Sequence, residues 1–265
     1  MDINRENKII TTIGRMNPPT SGHALLIKFM INRAISENLT QINMILSHTV
    51  DNEKNPFECE EKRMVLYNSI IDHVKKELMN DYIGDEEKQS KIKDMKVEII
   101  CMDEPALNTR NPILSCVFNI LSLYGYDIND EAKRRDDLTM ELVIGQDRGG
   151  GYNWIGKTLS DLNPSVHFQE VVLPRSEGAM SATKVRNMAL TGNEEGFVDH
   201  YESIGVKRND AMSLYEQIRE NIEDQTIDNE SNKKQKTKNG GRRRKNKKSK
   251  RKTRKNKRST KRRRN

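Results

Sequence analysis

The stretch Lys8-Ile9-Ile10-Thr11-Thr12-Ile13-Gly14-Arg15-Met16-Asn17-Pro18-Pro19-Thr20-Ser21-Gly22-His23 decides the fold of this 265-residue chain. Residues 9–13 are all β-branched, as in a short strand. A glycine, two prolines and a Thr-Ser pair follow. A helical period then begins, with Leu25, Leu26, Phe29, Met30, Arg33 and Ala34 at i, i+3 and i+4 spacing across residues 22–37. A strand that turns through glycine straight into a helix is the opening of a βαβ unit.

The same alternation continues outward. Further strand-like runs lie at Ile42–Ser47, Lys96–Cys101, Met140–Ile144 and Val166–Leu173, and helical patterns at 60–79, 112–124, Ser181–Thr191 and Asp210–Ile222. The strand runs are almost continuously apolar, which fits strands covered on both faces. The expectation is an α/β fold, a Rossmann-like doubly wound parallel sheet of about five strands. Asn80–Asp94 and Tyr126–Asp137 are polar and read as surface loops or insertions.

Composition divides the chain. Only 34% of residues are hydrophobic while 32% are charged, and the formal net charge is +8. Residues 233–265 contain 21 Lys and Arg and no Asp or Glu, leaving 26 basic and 39 acidic residues before them, a net −13. The division predicted is a domain over 1–223 and a disordered, Lys/Arg-rich tail over 224–265, too polar to offset its ordering entropy. A uniformly basic nucleic-acid-binding domain is excluded. No apolar run approaches the ~20 residues of a membrane span, and the N-terminus lacks an apolar signal-peptide core. Cys59, Cys101 and Cys116, odd in number and widely spaced, suggest neither a disulfide framework nor a zinc site. They point to a reducing compartment, hence a cytoplasmic or nuclear protein, with the tail a possible nuclear address.

Ligands of open α/β sheets bind at the carboxyl ends of strands, beside helix N-termini. Gly14 allows close backbone approach there, and Thr20 or Ser21 suits the N-cap of the following helix. The free N–H groups of its first turn would face a phosphate. His23 lies in that turn, where a protonated or hydrogen-bond-donating imidazole would meet phosphate oxygens. The run is neither a P-loop nor a GxGxxG fingerprint. A second anion-binding stretch is Ser181-Ala182-Thr183-Lys184-Val185-Arg186, where Ser181 suits an N-cap and Arg186 can bind an anion bidentately.

These two stretches resemble the GxFxPxHxGH (or TxGH) and ISxTxxR motifs of the cytidylyltransferase-like nucleotidyltransferases. The correspondence runs through Gly14, Met16, Pro18 or Pro19, Thr20, Gly22 and His23, then through Ser181, Thr183 and Arg186. Many members carry histidine where this chain has Thr20. The KMSKS motif of the related tRNA synthetases is absent. Lys54-Asn55-Pro56-Phe57 resembles a KNPL segment of viral and bacteriophage members, and Gly145-Gln146-Asp147-Arg148 the GxD element of nicotinamide-nucleotide adenylyltransferases.

The resemblance implies transfer of a nucleoside monophosphate, AMP from ATP in preference to CMP from CTP, onto a phosphate-bearing small molecule. His23, Thr20 and Arg186 would be catalytic. Gly14, Arg15, Met16, Asn17, Gly22, Gly145, Asp147, Ser181 and Thr183 would bind the nucleotide with His23 and Arg186. Lys54, Arg63 and Trp154 would receive the acceptor, and Mg²⁺ would arrive with the NTP. A different class of function is also open: nucleic-acid binding through the tail, with a nucleotide-binding domain that performs no catalysis.

Overall fold

The computed structural model describes residues 6–51, 54–102, 111–127, 130 and 137–222. The expected disorder of 224–265 falls outside them, as does most of Tyr126–Asp137.

Five strands form one parallel sheet: β1 (Lys8–Gly14), β2 (Gln41–Leu46), β3 (Lys96–Cys101), β4 (Thr139–Gly145) and β5 (His167–Leu173), in the order β3-β2-β1-β4-β5. The register aligns Gly14 with Leu46 and Gly145 with Leu173, so all four strands end near one edge of the sheet. The doubly wound fold read from the sequence is therefore present.

Helices cover both faces. On one lie α1 (Ser21–Ser36), α2 (Cys59–Val65), one π-helical turn (Leu66–Ile70), α3 (Ile71–Asp81), α4 (Glu86–Asp94), α7 (Ala182–Leu190), α8 (Glu194–Glu202) and α9 (208–222). Ile10, Met44 and Val143 of the strands pack there against Ile27, Ile31, Val74, Val185, Phe197 and Ile218. On the other face lie α5 (Pro112–Leu123) and α6 (Asn153–Leu162), whose Val117, Leu121 and Ile155 meet Ile9, Ile45 and Leu142. Neighbouring residues of β1, Ile9 and Ile10, thus enter opposite cores, which is why its sequence shows no alternation of polar and apolar residues.

One buried carboxylate joins sheet to helix. Glu141 of β4, with no side-chain exposure, takes a forked contact from Arg33 of α1 at 3.3 and 3.2 Å and a contact from Lys8 at 3.1 Å. Glu37 bonds the same two cations at 3.0 and 3.1 Å, so the four charges balance.

The structure corrects two expectations. Cys59 and Cys101 are disulfide-bonded, their Cα atoms 5.9 Å apart, and Cys116 is a buried free thiol. Spacing along the chain could not show that the first turn of α2 lies against the end of β3, and the bond removes the argument for a reducing compartment. Within Asn80–Asp94 the structure has a helix, α4, instead of loop alone. Its only buried residue is Ile92, so no apolar stripe announces it. It is held by Asp85, which accepts from Lys88 N–H at 3.0 Å, and by a Glu87–Lys91 pair at 2.6 Å. Among the described residues no helix is long and apolar enough to cross a membrane.

Candidate functional site

β1 and β4 are neighbours at the middle of the sheet, and the chain leaves them toward opposite faces, to α1 and to α6. That divergence opens a crevice at their carboxyl ends, the place where open α/β sheets receive ligands. The segment 14–23 forms one wall and Gly145–Arg148 the other.

The first wall is tightly specified. Met16 adopts a positive φ of 44° and sinks into the core, so its side chain is not offered to a ligand. A Cβ on Gly14 would lie 3.3 Å from the Met16 side chain and press on it. The Asn17–Pro18 bond is cis. Asn17 is buried, and its amide exchanges two hydrogen bonds with the Phe57 backbone: Nδ2 donates to the carbonyl at 2.7 Å, and Oδ1 accepts from the N–H at 3.0 Å. Asn17 therefore acts as a clamp between two loops, and its side chain is not offered to the nucleotide role expected of it. Arg15 is exposed at the mouth.

Thr20 is the N-cap of α1, its carbonyl accepting from Ala24 N–H at 3.0 Å. Ser21, the alternative N-cap, instead accepts Met180 N–H on its hydroxyl at 3.0 Å. His23 folds back so that Nδ1 lies 3.0 Å from both the N–H and the hydroxyl of Thr20. A backbone N–H can only donate, so Nδ1 is the acceptor and the ring proton resides on Nε2. Burial pushes the His23 pKa down to about 4, with the Asp147 carboxylate opposing that shift. The Asp147 carboxylate therefore lies near enough to His23 to act on its charge. It follows Gly145, where a Cβ would approach its Oδ1 to 3.0 Å.

The second motif closes against the first. Ser181 caps α7 by accepting Lys184 N–H at 3.2 Å. Arg186 is buried, donating from Nη1 to the Asn17 carbonyl at 2.6 Å and from Nη2 to Thr183 Oγ1 at 3.2 Å. Desolvation and, next, the Arg15 guanidinium lower its pKa, while Asp51 raises it. Arg15 thus lies close enough to disfavour the Arg186 charge, and the Asp51 carboxylate close enough to offset part of that effect. Tyr201 of α8 donates to the Pro19 carbonyl at 2.9 Å, a third tie from the C-terminal helices to this loop.

Among the expected acceptor residues, Lys54 is exposed on a turn in which Asp51 and Asn55 exchange backbone hydrogen bonds at 3.1 and 3.2 Å. Arg63 is directed to Glu60 at 3.2 Å and to the Cys101 sulfur at 3.1 Å, within the disulfide corner. Trp154 sits in the first turn of α6, about a third exposed. Gly14, Arg15, Thr20, His23, Asp147, Thr183 and Arg186 are brought together, whereas the bonds described for Arg63 run to Glu60 and Cys101 and Trp154 lies in the first turn of α6. Sequence reasoning missed Lys62, which is fully buried in α2 and donates from Nζ to the Ser47 carbonyl at the end of β2. Within CEEKRMV it looks like a surface lysine, so no signal distinguished it. It also missed Asp51.

No family model matches the chain, and no curated protein matches it.

Proposed function

We propose that the protein is a nucleotidyltransferase that moves a nucleoside monophosphate, AMP from ATP in preference to CMP from CTP, to a phosphate-bearing small molecule. The observation that carries this reading is that Arg186, with Arg15 near it, is bonded to the Asn17 carbonyl of the loop leading into the N-terminal turn of α1, where His23 keeps its Nε2–H as a donor. These groups are donors or positive charges, accompanied by the Asp147 carboxylate near His23 and Asp51 near Arg186, and no cysteine, serine or lysine beside a base stands among them as an activated nucleophile. That set suits a reaction in which charge must be neutralised and no covalent intermediate forms. The choice of ATP rests on the motif resemblance.

An oxygen of the acceptor phosphate attacks the α-phosphorus in line. The bond from the α-phosphorus to the bridging oxygen of the β-phosphate breaks, and pyrophosphate leaves with its electron pair. The nucleophile is already an anion, so no proton need be removed. His23, a neutral donor through Nε2, would meet the α-phosphate. Arg186, Thr183 and the capped end of α7 would hold the departing phosphates. Mg²⁺ would reach the site on the triphosphate oxygens and screen their charge; among the described residues no three metal-ligating side chains cluster.

The test is pyrophosphate release from each NTP in the presence of nicotinamide mononucleotide, phosphopantetheine, sugar phosphates and alcohol phosphates. Turnover with one pair, lost by 100-fold or more in His23→Ala, is expected. Nucleotide binding without turnover across the whole panel would refute it.

A further inference from the structure

None of the residues assigned to that chemistry lies in 233–265, and the covalent sequence of this segment points to a ligand of its own. The segment carries 21 cationic side chains in 33 residues, with no Asp, no Glu, and no aliphatic or aromatic side chain. Basic runs such as Arg242–Lys245 and Lys261–Arg264 are separated only by Asn, Ser, Thr, Gln and Gly. We infer that this segment is a sequence-independent binding arm for the phosphodiester backbone of nucleic acids, and for duplex more than for single strands.

Three chemistries compete for such a segment. An anionic membrane would attract the charge, but stable attachment of a basic segment also draws on apolar side chains entering the interface, and this one has none. Single strands are held largely by bases stacking on aromatic rings, which are equally missing. A duplex asks only for cations. It presents one negative charge per ~1.7 Å of axis, a line long enough to meet many cations at once. Fully extended, the segment would span roughly 110 Å with a cation about every 5 Å. Interruption by small polar residues keeps it hydrophilic without diluting that charge.

The rest of the chain makes the division of labour sharper. Residues 1–232 carry a net −13 and would be repelled by the same polyanion. A duplex held by the segment would therefore not be drawn into the anion crevice. The acidic body is also the obvious internal competitor for the segment. Its charges are spread over a folded surface, however, while those of a duplex are denser and release condensed counterions on binding.

The experiment uses the full chain, with a fluorescein-labelled 24-base-pair DNA duplex of arbitrary sequence, a second unrelated duplex and single-stranded DNA and RNA of equal length. Phosphatidylserine vesicles at matched negative charge form the membrane arm. If about ten phosphates are neutralised, log K should fall against log salt with a slope near −9, so doubling the salt weakens binding on the order of 500-fold. The supporting result is equal affinity for both duplexes, that steep slope, and weaker binding of single strands. Replacing the Lys and Arg of 242–264 by Gln in the full chain should abolish binding while leaving thermal unfolding of the body unchanged. Retained binding in that variant, a preference for one duplex, preferential binding to vesicles, or no duplex binding at 150 mM salt would each overturn the inference. These readouts do not depend on turnover, so failure of the nucleotidyl-transfer reading would be seen separately.

Discussion

His23 gives the most demanding test of the site. Its Nδ1 accepts from Thr20 N–H, and burial holds its pKa near 4. At pH 7 the imidazolium would lie about 3 pH units uphill, close to 4 kcal/mol at 1.36 kcal/mol per unit, with about one molecule in a thousand charged. The ring should therefore work as a neutral donor through Nε2. Nitrogen-edited NMR of the free protein should show the Nε2–H tautomer at pH 7 and a titration midpoint well below 5. The same depression should appear in stability. The unfolded histidine takes a proton near pH 6.5 while the folded one resists to about 4, so stability is complete above 6.5 and falls as pH drops toward 4. Its share of that loss is about 3 kcal/mol. Urea unfolding at pH 7 and pH 4.5 measures it, and His23→Gln should flatten the slope. A midpoint between 6 and 7, or a protonated Nδ1 at pH 7, would refute both the tautomer and the role built on it.

Other predictions are independent of that one. The Cys59–Cys101 bond closes a separation of 42 residues, so reduction or Cys59→Ser should cost about 4 kcal/mol by chain entropy, seen as a lower denaturation midpoint in reductant; an unchanged midpoint would argue that the bond adds nothing. Asn17→Ala leaves the buried Phe57 N–H and carbonyl without their partner. A loss of about 2–3 kcal/mol in urea unfolding is expected, with weaker nucleotide affinity because the Arg186 anchor moves. Glu141→Ala strands Lys8 and Arg33 beside Glu37 alone and should lower stability by about 3 kcal/mol without changing nucleotide binding measured by calorimetry. His200, whose pKa burial and then the Lys184 charge push down to about 4, belongs to α8. His200→Gln should reduce acid sensitivity below pH 6.5 and spare turnover.

The strands were legible to within a residue or two because each is a short, nearly unbroken apolar run, and five such runs between helical periods admit few arrangements. α4 was not legible, because its order comes from a cap and ion pairs and not from an apolar face. Residues 14–23 and 181–186 stood out by their residue types and spacing, and the structure bonds one to the other through Arg186 and Met180. That Asp147 lies near His23 follows from β1 lying beside β4, which no local pattern states. Asn17 shows the opposite failure: an amide in a ligand loop reads as a ligand contact, yet its partners are the backbone groups of Phe57, 40 residues away. Lys62 and the disulfide were hidden for the same reason, since burial and proximity belong to the packed chain.

The ties on the first loop carry a consequence for biosynthesis. Segment 14–23 is anchored by Met180, Arg186 and Tyr201, and the Pro56 carbonyl accepts from Asn221 at 2.9 Å. All four anchors are translated after β5. A nascent chain that ends at Leu173 would hold every strand of the sheet but lack the groups that shape the crevice, so binding competence would arrive in the last stage of synthesis. Ribosome-stalled chains of increasing length should gain a protected sheet before they gain affinity for a triphosphate.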